Sequence, residues 1–572
     1  MPYSKPETSK LAVVTTSLIG TLLILPGILV PSSTLIETLR ATPMDPSGEL
    51  LLGATLFKFG LVILGLVVIV IGRSLIWKSD IQGKDPPSDS RSHVIVALLT
   101  AIVVAAFALR LYRLDGGLWY DEIVTYVNYA RIPFGKIITT YDDQNQHILY
   151  SLLAHASFQI FGDSAWSLRF PAVLFGIGSI WALYLLGREV SNTREALLAA
   201  ALLAFSYHHV WFSQNARGYT ALLFWTIVAS WLFLRALREA KPRLWLLYAI
   251  AVAFGAYTLI YMLFVVIGHL VIYLITLFAR RTEVWPNRWA GAFLGFCLAG
   301  FLTFQLYALV LPQFFTAFTK VEHVATIWTQ PMWGFLEFVK GLQINFSGSL
   351  FAAAALLVFG TGFVSFMRTN PVVIGLLIIP ALTCIAVKVG MGHDLWPRSL
   401  FFAMGFGALV VVRGAVEFGS GVARLVHLAP TKAVLVGSAL CTGLVIISAM
   451  SIPFAYGPKQ DYLGPLAFIE ENKEPGDAIV IVGVAEFPYK NLYKVDWESV
   501  KTLDVLNTIR SRTKRTWLVH TFPIETQSVD QRILASIQHD FKEVKPFYGT
   551  LNGGTIFVYR SDTPPPSAFD QR

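Results

Sequence analysis

Apolar runs long enough to cross a membrane recur along the chain as far as Pro453. A helix of roughly 20 apolar residues spans the hydrocarbon core of a bilayer, and by this criterion we expect about 13 transmembrane helices. They lie near residues 11–31, 50–72, 93–111, 168–187, 196–212, 219–237, 243–259, 262–279, 289–311, 350–367, 371–388, 399–415 and 433–454. Only 14% of the residues are charged, against about 25% in soluble domains. The sequence therefore predicts an all-α polytopic membrane protein.

The net charge of +9 comes from basic residues in short loops between the apolar runs. Such loops stay in the cytoplasm, so the charge indicates an orientation and no nucleic-acid partner. Residues 148–161 are apolar but form a run of only about 14 residues, which suits an interfacial helix better than a span. With that helix in the interface, the basic clusters and the amino terminus are cytoplasmic. Four loops and the carboxyl terminus are then expected on the extracytoplasmic face of the cytoplasmic membrane. The loops are 112–167, 213–219, 313–348 and 392–398.

Three regions follow from this pattern. Residues 1–92 are predicted to form two additional N-terminal transmembrane helices and a cytoplasmic linker. Residues 93–454 form the transmembrane core, with the first external loop at 112–167. Residues 455–572 have ordinary polarity and are predicted to form a small extracytoplasmic α/β domain, because strand-like runs alternate there with helical ones. The proline-rich tail from Pro564 is predicted to be disordered.

Within the α/β domain the sequence predicts two helices and three strands. Helices are expected over 465–472 and 529–541, and strands over 476–484, 516–520 and 554–559. The chain carries no nucleotide-binding glycine fingerprint, so no nucleotide ligand is indicated.

Two adjacent carboxylates, Asp121 and Glu122, lie just beyond the span that ends near Leu109. Ionisable residues at a membrane boundary are functional candidates, although an acidic pair can also begin a helix for the sake of the helix dipole. Adjacent side chains point in different directions, so the two are not expected to touch the same atom. A carboxylate at such a place can act as a general base, and cations on the same face can stabilise negative charge that develops in a reaction.

Basic side chains on the same face are suited to the second task. Arg217 lies in the turn Ser213-Gln-Asn-Ala-Arg217-Gly-Tyr219 and has a planar fork that matches phosphate oxygens, although an arginine here can also snorkel to the headgroups. Arg169, at the external end of a span, is expected to bond loop carbonyls. His208-His209 are expected to pack within a span, and His393-Asp394 offer too few ligands for a metal site.

Together these motifs resemble the polyprenyl-phosphate-sugar-dependent glycosyltransferases of the GT-C fold, particularly the protein O-mannosyltransferases and the lipid A aminoarabinose transferases. The resemblance covers roughly residues 93–415. It rests on the Asp-Glu pair after a span, the stretch from Asp142 to Tyr150, the pattern Leu168-Arg-Phe-Pro-Ala, and the turn with Arg217. Ile148-Leu149 stand where prolines are common, and Gln146 stands where an acidic residue can hold a metal in relatives.

The resemblance implies an inverting transfer of a hexosyl or pentosyl unit from a polyprenyl-phosphate donor to a lipid, glycan or protein acceptor. Asp121 would be the catalytic carboxylate, with Glu122 as a second carboxylate or orienting neighbour. The donor phosphate would be bound by Arg217, Arg398 and His147. The substrate pocket is expected to include Trp119, Tyr120, Asn145, Gln146, Tyr150, Gln214 and Tyr219. No metal site is predicted, and the need for a divalent cation stays open.

Three other functions are compatible with parts of the sequence. A lipid-linked oligosaccharide flippase or transporter would show inverted repeats and charges along a path through the membrane, and neither is apparent. A polysaccharide polymerase or ligase also uses lipid-linked donors but has no need of an Asp-Glu pair in this loop. A scaffold that recruits partners through the C-terminal domain would not depend on Asp121.

Overall fold

The computed structural model describes residues 8–41, 46–74, 90–239, 241–279, 286–319, 330–342 and 349–563. At the amino end the helices are α1 Thr8–Leu29, α2 Ser32–Arg40 and α3 Gly48–Ser74. The chain bends sharply between α1 and α2, with 105° between them, and α3 packs along α1. Residues 75–89 of the predicted cytoplasmic linker, residues 320–329 and 343–348 of the external loop at 313–348, and the tail from Pro564 lie outside the described residues.

The central region is helical throughout its described part. Its helices are α4 Ser90–Leu111, α5 Tyr120–Val124, α6 Phe134–Ile137, α7 Ile148–Phe161, α8 Ala165–Val190, α9 Thr193–Ala204, α10 Tyr207–Ser213, α11 Tyr219–Glu239, α12 Pro242–Thr258, α13 Met262–Ala279, α14 Pro286–Tyr307, α15 Leu311–Thr319, α16 Pro331–Leu342, α17 Ser349–Thr369, α18 Pro371–Gly390, α19 Met404–Leu425 and α20 Pro430–Met450. A π-helical turn, Thr125–Ala130, continues α5, and a 3-10 turn, Pro397–Ala403, leads into α19.

Local sequence explains where several of these helices begin. Proline occupies the first turn of α12, α18 and α20, a position whose amide has no helical partner in any case. The hydroxyl of Ser164 accepts from the Ser167 amide and caps α8, and Asn192 caps α9 in the same way. The helix α8 lies at the centre of the region and contacts α4, α7, α9 and α11.

The prediction of a polytopic all-α membrane protein is confirmed, whereas the count of about 13 spans is not. Among the described residues, nine helices are long and apolar enough to cross a membrane, or up to eleven if each of two bent pairs is one span. Two of the expected spans correspond to α12 and α13, which have 17 and 18 residues in all. Neither helix is among the nine long apolar helices.

The carboxyl-terminal region forms a five-stranded sheet with helices. Its elements are α21 Leu463–Asn472, β1 Ala478–Val482, β2 Glu498–Val500, α22 Leu503–Arg512, β3 Thr516–Thr521, α23 Pro523–Val529, α24 Gln531–Asp540, β4 Lys542–Phe547 and β5 Ile556–Ser561. The strand order is β2-β1-β3-β5-β4. β1 runs parallel to β2 and β3, while β5 runs antiparallel to β3 and β4. The α/β prediction is thus confirmed, with β2, β4, α22 and α23 in addition to the predicted elements.

This sheet shares a hydrophobic core with the loop that follows α4. Leu118 and Ile123 from that loop lie in one buried cluster with Ile481 of β1 and Trp517 of β3. The boundary between the core and the C-terminal region at 454/455 stays a prediction. The shared cluster means that the sheet supports the loop that carries Asp121.

Candidate functional site

The segment between α4 and α5 is held in place by the residues that precede the two carboxylates. The indole Nε1 of Trp119 donates to Asn215 Oδ1 at 3.0 Å, which ties the segment to the turn before α11. The carbonyl of Trp119 accepts from the Ile123 amide at 2.9 Å and so begins α5. The half-buried ring of Tyr120 meets the edge of Phe487 from the C-terminal region. Trp119 is therefore a structural anchor as well as a wall of the site.

Asp121 is buried, with 7% of its surface exposed, and faces an arginine from the far end of the chain. Its Oδ2 lies 3.3 Å from Nη1 of Arg398, but the pair is not aligned as a hydrogen bond. Within the described part of the chain Oδ2 has no hydrogen-bond partner. Arg398 also lies over the rings of Trp119 and Trp396, 6.0 and 5.2 Å from their centroids. The carboxylate thus has a paired charge and an acceptor position still available.

Glu122 has a different environment, because its carboxylate is fully engaged. Arg169 donates from Nε to Oε1 at 2.8 Å and from Nη2 to Oε2 at 2.6 Å. The Ala216 amide donates to Oε1 at 2.7 Å, and the Trp119 amide to Oε2 at 3.3 Å. Burial alone would raise the pKa of Glu122, but Arg169, Lys459 and these hydrogen bonds outweigh it and lower the pKa. These bonds join Glu122 to Arg169 and to the turn before α11, so its carboxylate holds the loop in place.

Arg169 completes this anchor. Its Nη1 donates to the carbonyls of Leu114 and Gly116, both at 2.8 Å, and its Nη2 donates to the carbonyl of Gly117 at 2.9 Å. The expectation that Arg169 bonds loop carbonyls is thereby confirmed. A bidentate arginine can hold a turn and a carboxylate at once, whereas a lysine could not.

Arg217 binds the loop that leads into α7. Its Nη1 donates to Thr125 Oγ1 at 2.9 Å and to the Asn145 carbonyl at 2.8 Å. Its Nη2 donates to Asn145 Oδ1 at 2.8 Å and lies 3.1 Å from Nε2 of His147. The π-helical turn that carries Thr125 continues α5, which contains Asp121, so Arg217 connects the loop of His147 to the helix of the carboxylate.

His147 is held from both sides. Its Nδ1 accepts from the Gly218 amide at 2.9 Å, and burial, followed by Arg217 and Arg398, holds the pKa of His147 well below its usual range. The neutral ring must then carry its proton on Nε2. That proton faces Nη2 of Arg217, which is also a donor, so the 3.1 Å contact between the two nitrogens is not a hydrogen bond.

Other residues predicted for the pocket mainly hold the structure together. Gln146 Oε1 accepts from Ser151 Oγ at 2.7 Å, and the Tyr150 hydroxyl donates to the Leu168 carbonyl at 2.6 Å. Gln214 Nε2 donates to the carbonyls of Arg110 and Tyr112 at 2.9 and 2.7 Å. Tyr219 differs from these three, because its ring lies edge-on to His147 with the centroids 5.8 Å apart.

The residues present give little support for a metal ion. Gln146 stands at the position where relatives can have an acidic ligand, and its amide oxygen is already bonded to Ser151. Across the described ranges, no group of three His, Cys, Asp or Glu side chains could hold a metal ion. His209 bonds Arg110, with 2.6 Å between Nδ1 and Nη2, which accords with the packing role expected for it.

Two lysines near the site were not singled out from the sequence. Lys388 Nζ lies 3.1 Å from the Tyr261 hydroxyl and 3.2 Å from Asp394 Oδ1. Lys459 Nζ donates to the Gln214 carbonyl at 2.6 Å. Lys388 could have been found from the sequence, since it is an ionisable residue at the end of an apolar span. Lys459 follows the last span in a stretch of ordinary polarity and gives no comparable signal.

Residues 145–307 match the sequence model of a family described as dolichyl-phosphate-mannose-protein mannosyltransferase. This match confirms the predicted resemblance. It includes His147, Arg169 and Arg217, begins after Asp121 and ends before Arg398. The resemblance to polyprenyl-phosphate-sugar-dependent glycosyltransferases is therefore established for the middle of the chain.

Individual proteins show more limited similarity. The chain is 32% identical over 90 residues to a Bacillus subtilis (strain 168) protein named "Putative mannosyltransferase YkcB", a match that spans 16% of this chain and 12% of that relative's length. ArnT from Cupriavidus metallidurans bound to undecaprenyl phosphate has a TM-score of 0.43 and 13% identity, covering 84% of this chain and 100% of that one. AglB from Archaeoglobus fulgidus, with an inhibitory peptide and a dolichol-phosphate, has a TM-score of 0.45 and 11% identity, covering 84% and 75%.

Proposed function

We propose that this protein is an inverting membrane glycosyltransferase that moves a sugar from a polyprenyl-phosphate donor to an extracytoplasmic acceptor, with Asp121 as the catalytic carboxylate. The observation that carries the proposal is the buried Asp121 carboxylate, which is paired with Arg398 and keeps Oδ2 without a hydrogen bond in the described structure. The family match over residues 145–307 supports a lipid-linked sugar donor.

The proposed reaction is a single displacement at the anomeric carbon. Asp121 accepts the proton of the acceptor hydroxyl while that oxygen forms a bond to the anomeric carbon. The bond from this carbon to the phosphate oxygen breaks on the opposite face, and polyprenyl phosphate leaves with the electron pair. The configuration at the anomeric carbon is inverted, and no intermediate is bonded to the protein.

Cations stabilise the charge that develops on the leaving phosphate. Arg398 is suited to this task because its side chain is 27% exposed and its pairing with Asp121 uses one of five donors. Nε2 of His147 and Nη2 of Arg217, which lie 3.1 Å apart, are proposed to bind another phosphate oxygen. The site is proposed to face the outside of the cytoplasmic membrane, in keeping with the basic loops assigned to the cytoplasm.

The direct test is the Asp121→Asn variant. Purified protein is supplied with a panel of polyprenyl-phosphate sugars and with cell-envelope membranes as the source of acceptor, and release of polyprenyl phosphate is measured. We expect turnover to fall by at least about 100-fold, because a positioned general base contributes that much or more. Parallel reactions with a chelator test the divalent cation that the sequence left open.

Asp163→Asn is the matched control. Asp163 belongs to the same external loop, but its side chain is 43% exposed and pairs with the exposed Arg131. This variant is expected to retain full activity. Full transfer by the folded Asp121→Asn protein would refute the assignment of the catalytic carboxylate.

A further inference from the structure

The segment between α20 and α21 bonds the Tyr120 amide, next to Asp121, and the turn that bonds Glu122. We call residues 457–461 the strap. Lys459 and Gln460 in the strap are buried, at 6% and 1% exposure, although they are polar and follow the last span. Buried polar side chains of this kind are kept only where they form specific bonds, so their partners indicate what the strap does.

On one side the strap holds the carboxylate loop. Oε1 of Gln460 accepts from the Tyr120 amide at 3.1 Å. This amide is one of the first donors of α5, which have no partner within the helix, and Tyr120 precedes Asp121 in the chain. Nζ of Lys459 donates to the Gln214 carbonyl at 2.6 Å, in the turn whose Ala216 amide bonds Glu122.

On the other side the strap is held by the C-terminal sheet region. The Thr550 amide donates to the Pro458 carbonyl at 2.8 Å, and the Leu551 amide donates to the Lys459 carbonyl at 3.1 Å. Nε2 of Gln460 lies 3.4 Å from Oγ1 of Thr521, at the end of β3. A Cβ on Gly549 would overlap the Lys459 carbonyl, so the strap and this loop are packed backbone to backbone.

We propose that Gln460 and Lys459 are positioning residues through which the C-terminal region sets the place of Asp121. The inference rests on the proposed function. It assigns to the C-terminal region a part in the reaction, because α5 obtains a first-turn hydrogen bond from the strap and the strap obtains its own from the sheet. Neither residue contacts the reacting atoms, and both act through the backbone on either side of the Asp-Glu pair.

The charge of Lys459 can be followed through the pH dependence of the rate, which a residue with a purely structural role would not change. Burial lowers the pKa of Lys459 to about 7, although Glu122 opposes this shift and Arg169 adds to it. The ammonium also lies over the Trp211 ring, 5.1 Å from its centroid, and borders a cavity of about 360 Å³ that Arg113 and Asp115 also line. Lys459 therefore loses its proton as the pH rises through about 7, and the bond to Gln214 then loses its charge.

The test compares four variants of the full-length protein in the polyprenyl phosphate release assay. Gln460→Met removes the acceptor for the Tyr120 amide, and Lys459→Met removes the donor to Gln214. We expect each to lower kcat by about 10- to 100-fold, since small misplacements of a reacting group have effects of this order. KM for the donor should change less than about twofold, because the phosphate-binding arginines are not in contact with the strap.

Lys459→Arg and Thr526→Val are the matched comparisons. Lys459→Arg keeps a cationic donor and should recover at least half of kcat. Its rate should also stay constant above pH 7, where that of the natural protein falls, because arginine remains charged. Thr526 is buried in the C-terminal region and bonds the Thr521 carbonyl at 3.4 Å, so Thr526→Val removes a buried bond of that region and leaves the strap intact. It should keep full activity.

Two results would overturn the inference: kcat at the natural value in both methionine variants, or an equal loss in Thr526→Val. If a methionine variant does not purify as a folded protein, Thr521→Val replaces it, since it removes the strap's bond to β3 and leaves Gln460 Oε1 available to Tyr120. The outcome for Asp121→Asn is read separately. Loss of transfer there with unaffected strap variants refutes only the positioning role, whereas full transfer there refutes the proposed function itself.

Discussion

At the scale of single residues, the two arginines of the site differ in how many of their donors are engaged. Arg217 is buried and its terminal nitrogens bind Thr125 and Asn145. Arg398 has a single ion pair, to Asp121, and its remaining donors have no partner in the described ranges. The first arginine should therefore contribute to stability and the second mainly to the bound phosphate.

Lysine substitutions separate these contributions, because lysine keeps the charge but not the planar fork. Arg217→Lys should lower the melting temperature by several degrees, through the loss of hydrogen bonds to a charged group that are worth about 1.5–3 kcal/mol each. Arg398→Lys should melt within about 2 °C of the natural protein and transfer sugar at least about tenfold more slowly. Thermal unfolding in detergent and the release assay measure both. Equal melting temperatures for the two lysine variants would contradict this difference between the two arginines.

The sequence placed Asp121, Arg217 and Arg398 on one face, because hydropathy and the positions of basic loops determine on which side each turn lies. It named Asp121 as the catalytic carboxylate through the resemblance, but left open whether Glu122 is a second carboxylate or an orienting neighbour. That difference depends on Arg169, which lies beyond α7 in the chain and reaches only one of the two carboxylates. Lys459 was missed for a similar reason, since its burial results from packing against the C-terminal sheet.

At the scale of elements, the start of β1 depends on a half-buried carboxylate. Asp477 accepts from Arg515 Nη2 at 2.6 Å and from Trp517 Nε1 at 2.9 Å. Burial would raise its pKa, but these bonds and that from the Glu474 amide lower the pKa from 3.8 to about 2. A carboxylate with a depressed pKa stabilises the fold above its ordinary pKa, and this stabilisation is lost as the pH falls towards 2.

We therefore expect the C-terminal region to lose stability between pH 4 and pH 2, and Asp477→Asn to lose less over the same interval. The difference should be about 1 kcal/mol, because the carboxylate is near the domain surface and solvent screens part of the effect. Tryptophan fluorescence during thermal unfolding at several pH values measures it. Asp496→Asn, at an exposed position, should follow the natural protein. Parallel pH curves for all three proteins would show that Asp477 is not responsible.

The elements that the sequence predicted are those with a strong local signal. Long apolar runs formed long helices, and the apolar strands β1 and β3 lie at the centre of the sheet and are buried. β4 was missed because it pairs only with β5 at the edge of the sheet, and most of its side chains are exposed. β2 has only three residues. Such strands are specified by pairing with distant residues, which hydropathy does not report.

At the scale of the whole molecule, the loop between α4 and α8 is supported from two sides. The C-terminal sheet and the strap hold its first half. The N-terminal helices hold its second half, where Arg40 Nη2 donates to Thr140 Oγ1 at 3.3 Å and α2 contacts α6. No function for the two additional N-terminal spans is apparent from the sequence. Their contacts indicate that they support the stretch that leads to Asn145 and His147.

A close backbone contact between α2 and α6 allows us to test whether the N-terminal helices support the loop. A Cβ on Gly135 would overlap the Leu39 carbonyl oxygen, whereas a Cβ on Gly48, at the start of α3, would meet nothing within 4 Å. Gly135→Ala should therefore separate the N-terminal helices from the loop, increase hydrogen exchange over residues 134–147, and lower transfer several-fold by loosening His147 and the partners of Arg217. Gly48→Ala should leave both measurements unchanged, since alanine favours a helix and has space there. Natural exchange rates and full transfer in Gly135→Ala would mean that the N-terminal helices lie beside the site without supporting it.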